Sequence, residues 1–283
     1  MPYSLHDMLV IAAVMTFGSV MQGALGFASG LLGVPLLVLC GFDLTEATVI
    51  NFVSTGPQNA FGAVQLRHTL AVGDWLQPVL WRFVGLPLGI ALLAATQHLD
   101  ADLVKQIIGG VMLASILLLI ALRVRPRDAI HPAVTALAFL SSGFLMGFAS
   151  IGGAPMVMYV NALTWNAEKS RGFLFFCSAA LVPAMGVLLA WKIGAPARPP
   201  ALAALIVMPL VLAGLWCGMR LGEKLDKQLF RRLTYGLLVI VSLIAILSPL
   251  LLQKKSAPRP AATGVAPSAP HNDEQETANS ENH

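Results

Sequence analysis

The residues best placed for chemistry in this chain are small ones. Ser29-Gly30, and Ser150 with Gly152-Gly153, stand where two long apolar tracts are interrupted. Both belong to one repeated stretch. Gly26-Phe27-Ala28-Ser29-Gly30-Leu31-Leu32-Gly33-Val34-Pro35 returns as Gly147-Phe148-Ala149-Ser150-Ile151-Gly152-Gly153-Ala154-Pro155. Glycine and proline within an apolar tract either break a helix or let backbones approach closely. A helix that restarts after a break offers free backbone N–H groups and about half a positive charge, which suits an anion. Small side chains leave those groups reachable, and serine adds a hydroxyl donor. Gly26, Ser29, Gly30, Ser150, Gly152 and Gly153 are therefore expected to contact an anionic ligand. The plainer reading is that these glycines only permit tight helix packing.

Other polar residues lie in apolar surroundings. Gln22 precedes the first stretch. Asn51, Ser54, Thr55 and Gln58, with Asn59 beside them, approximate one helical face. Tyr159 and Asn161 follow the second stretch, with Ser170 and Ser178 beyond. Uncharged polar groups in hydrocarbon need partners, so these are expected to face the interior, bonding either a ligand or a neighbouring helix. Arg82 is the basic residue set deepest in an apolar run, Trp81-Arg82-Phe83-Val84-Gly85. Its fork of donors could grip an oxyanion; alternatively it snorkels to an interface. Glu46 and Glu168 occupy equivalent helix starts and are candidates for coupling, although acids there also serve as caps. Arg171 is the corresponding gating candidate.

These residues need a frame, and composition says what kind. The chain has 283 residues, of which 57% are hydrophobic and only 11% charged, and its mean hydropathy is +0.75. Soluble proteins carry about 25% charged residues. Repeated apolar runs of about 20 residues make this an all-α polytopic membrane protein. The net charge of +4 comes from basic residues scattered between segments, where they set topology and do not bind nucleic acid. Cys40, Cys177 and Cys217 form no CxxC pair, so neither a disulfide framework nor a metal site is expected. No Lys or Arg precedes the first apolar run, so it reads as a mature membrane segment and not as a signal peptide.

Segments are expected at about 8–25, 29–41, 43–64, 75–95 and 99–122. They recur at 132–149, 152–164, 168–191, 201–221 and 229–252. Residues 123–127, basic and proline-broken, divide the chain into an N-terminal repeat, 1–125, and a C-terminal repeat, 126–252. Residues 253–283 are too polar to fold and read as a disordered tail. Later landmarks also recur: Gly85-x3-Gly89 matches Gly214-x3-Gly218, and Leu99-Asp100 matches Leu225-Asp226. Segments 29–41 and 152–164 are short. Counting each as a crossing gives two inverted repeats of about five segments. Arg67, Arg123, Arg125, Arg127, Lys169, Arg171, Arg220, Lys224, Lys227, Arg231 and Arg232 then share one face. If the short segments are re-entrant, each repeat has four passes, the repeats run parallel and the charges divide almost evenly. The positive-inside rule favours inversion.

No Walker sequence, HExxH, GxSxG or histidine cluster is present, so neither an enzyme nor a nucleotide-driven pump is expected. Inverted repeats with broken helices place a substrate near the bilayer midplane. The expected function is a secondary carrier of a small anion. An anion channel, and a non-transporting scaffold or accessory subunit, are the alternatives. Gly23-Ala24-Leu25-Gly26-Phe27-Ala28-Ser29-Gly30-Leu31-Leu32-Gly33-Val34-Pro35 and Gly143-Phe144-Leu145-Met146-Gly147-Phe148-Ala149-Ser150-Ile151-Gly152-Gly153-Ala154-Pro155 together resemble the TauE/SafE family of sulfite and organosulfonate exporters. The resemblance spans roughly residues 8–250. It implies a bacterial inner-membrane permease exporting sulfite, organosulfonates or related organic anions, without a cofactor. The expected partners are the anion and the lipid bilayer, with a homodimer left open. Ala28 and Leu32 stand where the family usually has smaller residues, which points to a pocket of altered size.

Overall fold

The computed structural model describes residues 3–96, 128–226, 228–230, 232, 233 and 236. The expected segments 99–122 and, in most part, 229–252 lie outside these residues, as do the basic linker and the tail. Every regular element among the described residues is helical. The helices are α1 (Leu5–Leu25), α2 (Ala28–Leu39), α3 (Leu44–Gln65), α4 (Val72–Thr96), α5 (Pro132–Ala149), α6 (Gly153–Asn161), α7 (Ala167–Ala179), α8 (Val182–Lys192) and α9 (Arg198–Gly222). Among the described residues, five stretches are long and apolar enough to cross a bilayer: α1, α4, α5, α7 with α8, and α9 with the turn before it. The chain is a multi-pass membrane protein. Helix α3 is also long, at 22 residues, but carries the polar set from Asn51 to Asn59.

Local sequence sets the helix starts. Ser4 and Asp7 close a reciprocal capping box on α1, and Asp43 and Glu46 close one on α3. Asn166 caps α7 by accepting the Lys169 N–H at 2.8 Å. The run expected as a single segment, 168–191, is interrupted: α7 ends at Ala179 and α8 begins at Val182, with Pro183 in its first turn. Proline has no N–H to continue the ladder and is best tolerated in a first turn.

Two glycine-lined contacts dominate the packing. Gly23 of α1 lies on Leu215 and Met219 of α9, just as Gly147 of α5 lies on Leu86 and Ile90 of α4. Gly218 faces Val20, and Gly89 faces Phe144; Gly214 faces Thr16, and Gly85 faces Leu140. Each pair runs parallel, and a methyl group on any of these glycines would overlap the facing backbone. By contrast, α1 and α2 fold back on each other, with Gly18 beside Ser29 and Met15 beside Gly33. The far end of this hairpin brings Phe42 to 5.9 Å from the Tyr3 ring, and the Tyr3 hydroxyl donates to Glu46 at 2.9 Å. Burial and the Glu46 carboxylate push the Tyr3 phenol well above its ordinary range, so it stays a donor. At the opposite end Lys169 pairs with Asp74 at 2.9 Å and lies 4.5 Å over Trp165, while His68 meets Glu168 at 3.2 Å. This pins the start of α7 to the α3–α4 turn.

The repeated Gly-Phe-Ala-Ser stretch does not take the same conformation twice. In the first copy Gly26 is the left-handed residue that ends α1, at φ 88°, and Ala28 and Ser29 already belong to α2. In the second copy Gly147, Phe148 and Ala149 remain inside α5, and the left-handed residue is Ser150, at φ 57°. Packed on α4 at Gly147, α5 continues to Ala149, the end expected for segment 132–149.

Candidate functional site

The two breaks meet. Gly30, in the first turn of α2, sits against the Ser150 carbonyl, and Gly153, at the start of α6, sits against the Phe27 carbonyl. A Cβ on Gly153 would lie 3.1 Å from that carbonyl oxygen. Asn51 of α3 ties the breaks together by donating from Nδ2 to the Ser150 carbonyl at 3.4 Å. Between these elements lies a cavity of about 20 Å³, room for about one water molecule. Gln22, Phe27, Gly30, Asn51, Thr55, Asn59, Arg82, Met146, Ser150, Gly152, Gly153 and Ser178 line it.

Arg82 does not snorkel. It is fully buried, and its guanidinium reaches the cavity beside Gly152, where an added Cβ would lie 3.0 Å from Nη2. Nη1 donates to the Cys177 carbonyl. That carbonyl is spare because the Leu181 N–H bonds Ser178 instead, at 3.3 Å, where α7 gives way to α8. The arginine thus faces the negative end of a helix, but Nε has no partner and no carboxylate among the described residues pairs with it. A buried charge without a full counter-charge is costly. The Asn51 Oδ1 and Ser150 Oγ atoms are also buried without partners.

Of the expected ligand residues, the fold gathers Gln22, Gly30, Asn51, Thr55, Arg82, Ser150, Gly152 and Gly153 around this cavity. The others go elsewhere. Gly26 turns the chain over Arg171 and Leu174. The Ser29 hydroxyl points back at Gly18, so it faces α1 and not the cavity. Ser54 and Gln58 lie off the lining face of α3, and Gln58 Nε2 donates to the Ser54 carbonyl. Tyr159 joins a ring cluster with Phe139, Trp165 and Phe173. Asn161 is buried at the end of α6, away from the lining. Gln22 has two bonds besides its place on the wall. It accepts from the Ser29 N–H at 2.9 Å and donates to Asn59 at 2.7 Å. The Ser150 N–H is likewise spent on Met146, at 2.9 Å.

Glu46 and Glu168 stand at helix starts, bonded to Tyr3 and His68, respectively. Arg171 is buried beneath the first break and donates to the Gly23 carbonyl at 3.0 Å. Asn59 and Ser178, expected to face the interior, line the cavity too, Asn59 continuing the spacing of four from Asn51 through Thr55. Phe27 and Met146 line it without having been expected there. No sequence signal marks Met146.

A chain crossing the bilayer repeatedly, with two broken helices closing on a buried cation, matches one family model. The Sulfite exporter TauE/SafE family model aligns over residues 10–245. The chain belongs to this family. No curated protein and no solved structure matched it. TauE/SafE proteins are membrane transporters of the sulfite-exporter type and not enzymes, and this permease shares that class.

Proposed function

We propose that this TauE/SafE protein is a secondary carrier in the cell inner membrane that exports sulfite, an organosulfonate or a related small organic anion. The anion sits near the midplane, between a repeat spanning 1–125 and an inverted repeat spanning 126–252, with 253–283 as a polar tail. The observation that carries this reading is Arg82, fully buried at the cavity wall without a carboxylate partner among the described residues. Its guanidinium supplies paired donors for an oxyanion. The first turns of α2 and α6, around Gly30 and Gly153, add N–H groups and dipole charge. Thr55, Asn51, Ser150 and Ser178 offer polar contacts at the rim. Glu46, Glu168 and Arg171 are coupling or gating residues at the two ends. Inversion is supported by the paired packing: α1 on α9 repeats α4 on α5 contact for contact, although α1 begins at the Tyr3–Glu46 end and α5 at the end pinned by Asp128 and Thr164.

The cavity holds about one water, whereas sulfite has one sulfur and three oxygens, so loading requires the two breaks to separate. That fits alternating access, in which one repeat moves against the other. Uptake of sulfite, sulfonates, sulfate and carboxylates into proteoliposomes tests the proposal. Saturable counterflow of at least one sulfur oxyanion, lost in Arg82→Gln, is the expected result. Flux that does not saturate would identify a channel. Full flux in Arg82→Gln would overturn the site.

A further inference from the structure

We propose that Arg171 is a positioning residue, a latch that holds the α1–α2 break closed against α7 and α9. The proposal rests on the carrier reading, because it assigns to Arg171 the control of a break that the carrier must open.

The geometry is specific. Arg171 lies in the second turn of α7 and is 2% exposed. Its Nη2 donates to the Gly23 carbonyl at 3.0 Å and to the Met219 sulfur at 3.4 Å. Gly23 is in the last turn of α1, where the helix leaves carbonyls without intrahelical partners and carries its negative end. The guanidinium lies against Gly222 at the end of α9, where an added Cβ would overlap it. Meanwhile the Arg171 backbone lies directly under Gly26, 3.2 Å from where a Cβ would stand. One residue therefore fastens three elements at the point where α1 reverses into α2.

The contact is also reversible in character. A carbonyl and a thioether are weak partners for a buried cation, and Nε has none. Glu223, next to Gly222, and Glu168, one turn earlier, exert their field on the guanidinium but do not pair with it. If the α1 end withdraws, the side chain can swing outward to Glu223, exchanging one arrangement for another without stranding its charge. The latch is thus closed on the α1 end and open on the exposed carboxylate.

Labelling of a cysteine at Ala24 by a membrane-impermeant maleimide tests this in liposomes, with Cys40, Cys177 and Cys217 replaced by alanine. In Arg171→Ala the labelling rate should rise about tenfold or more, the factor expected from losing a hydrogen bond to a charged group. Maximal anion flux should change in the same variant, while the half-saturating concentration stays within about twofold, because no anion contact is lost. Labelling of Arg171→Ala at the parent rate would overturn the latch. If that variant cannot be purified, Arg171→Lys decides. Lysine is shorter and lacks the planar guanidinium that packs on Gly222 while Nη2 reaches Gly23 and Met219, so labelling should still rise severalfold, and the parent rate there would overturn the proposal. Labelling requires no transport, so a protein that moves no anion defeats the carrier reading while the latch is still judged.

Discussion

Two arginines are buried among the described residues, Arg82 and Arg171, and the contrast between them distinguishes the proposed site from the proposed latch. Both donate to a carbonyl in the last turn of a helix that ends inside the protein: Arg82 to Cys177 of α7, and Arg171 to Gly23 of α1. Neither pairs with a carboxylate among the described residues, and each leaves Nε unbonded. The difference lies in what faces the rest of each guanidinium. Around Arg82 there is a cavity with Asn51, Thr55, Ser150 and Ser178 on its wall. Arg171 is instead covered by Gly222 and Met219, with no space left. A buried cation with polar space beside it can bind a ligand, and one packed against glycine can only hold its neighbours.

The sharpest way to break this contrast is to neutralise each arginine in turn. Arg82→Gln should weaken sulfur-oxyanion binding by about 100-fold or more, since it removes one partner of a buried charge pair. Arg171→Gln should change the dissociation constant less than about threefold. Thermal shift of the purified protein against sulfite measures both, because a ligand stabilises according to its concentration over its dissociation constant. Equal losses in the two variants would erase the distinction.

A smaller perturbation adds a methyl group beside each guanidinium. In Gly152→Ala the new Cβ would stand 3.0 Å from Arg82 Nη2 and 2.6 Å from the Ser142 carbonyl oxygen. It should reduce anion affinity about tenfold by filling the cavity, along with overpacking of about 1–3 kcal/mol. Gly222→Ala would press on the Arg171 guanidinium. It should show the stability loss, about 1–3 kcal/mol, without the loss of affinity. Titration by calorimetry alongside denaturation in detergent reads the two effects separately.

The breaks, and the oddity of Arg82, were legible in the sequence for physical reasons. Glycine and proline in an apolar tract are conspicuous, and an arginine such as Arg82 costs too much in hydrocarbon to be incidental. What could not be read is set by packing across the chain. Ser29 and Ser150 look equivalent in the repeat, yet Ser29 lies in the first turn of α2 facing Gly18, while Ser150 is a left-handed helix end. Helix α3 offers two polar faces, and only contact with the breaks selects Asn51, Thr55 and Asn59 over Ser54 and Gln58. Gln22 looked like a ligand residue; its amide also caps α2 at Ser29 and bonds Asn59. The division of α7 from α8, which frees the Cys177 carbonyl for Arg82, carries only Pro183 as a local mark.

The smallest predicted effect compares the breaks themselves, one lying over Arg171 and the other beside the Arg82 cavity. Ser150 holds a left-handed conformation that costs a side-chain-bearing residue about 1 kcal/mol, whereas glycine adopts it freely. Ser150→Gly should therefore stabilise the protein by up to about 1 kcal/mol, since the hydroxyl it removes has no partner. Gly26→Ser is the reciprocal change. It should destabilise by about 1–2 kcal/mol, because φ is 88° and the new Cβ would stand 3.2 Å from the Arg171 carbonyl oxygen. Denaturation without anion measures both. Repeating it with saturating sulfite then isolates the hydroxyl. If Ser150 Oγ bonds the anion, the gain in Ser150→Gly should shrink or reverse by about 1 kcal/mol when ligand is present. Gly26→Ser, whose side chain faces α7 and not the cavity, should show the same deficit with or without ligand. An unchanged gain in Ser150→Gly would assign the anion contacts at this break to Gly152, Gly153 and Arg82 alone, leaving Ser150 as a helix end.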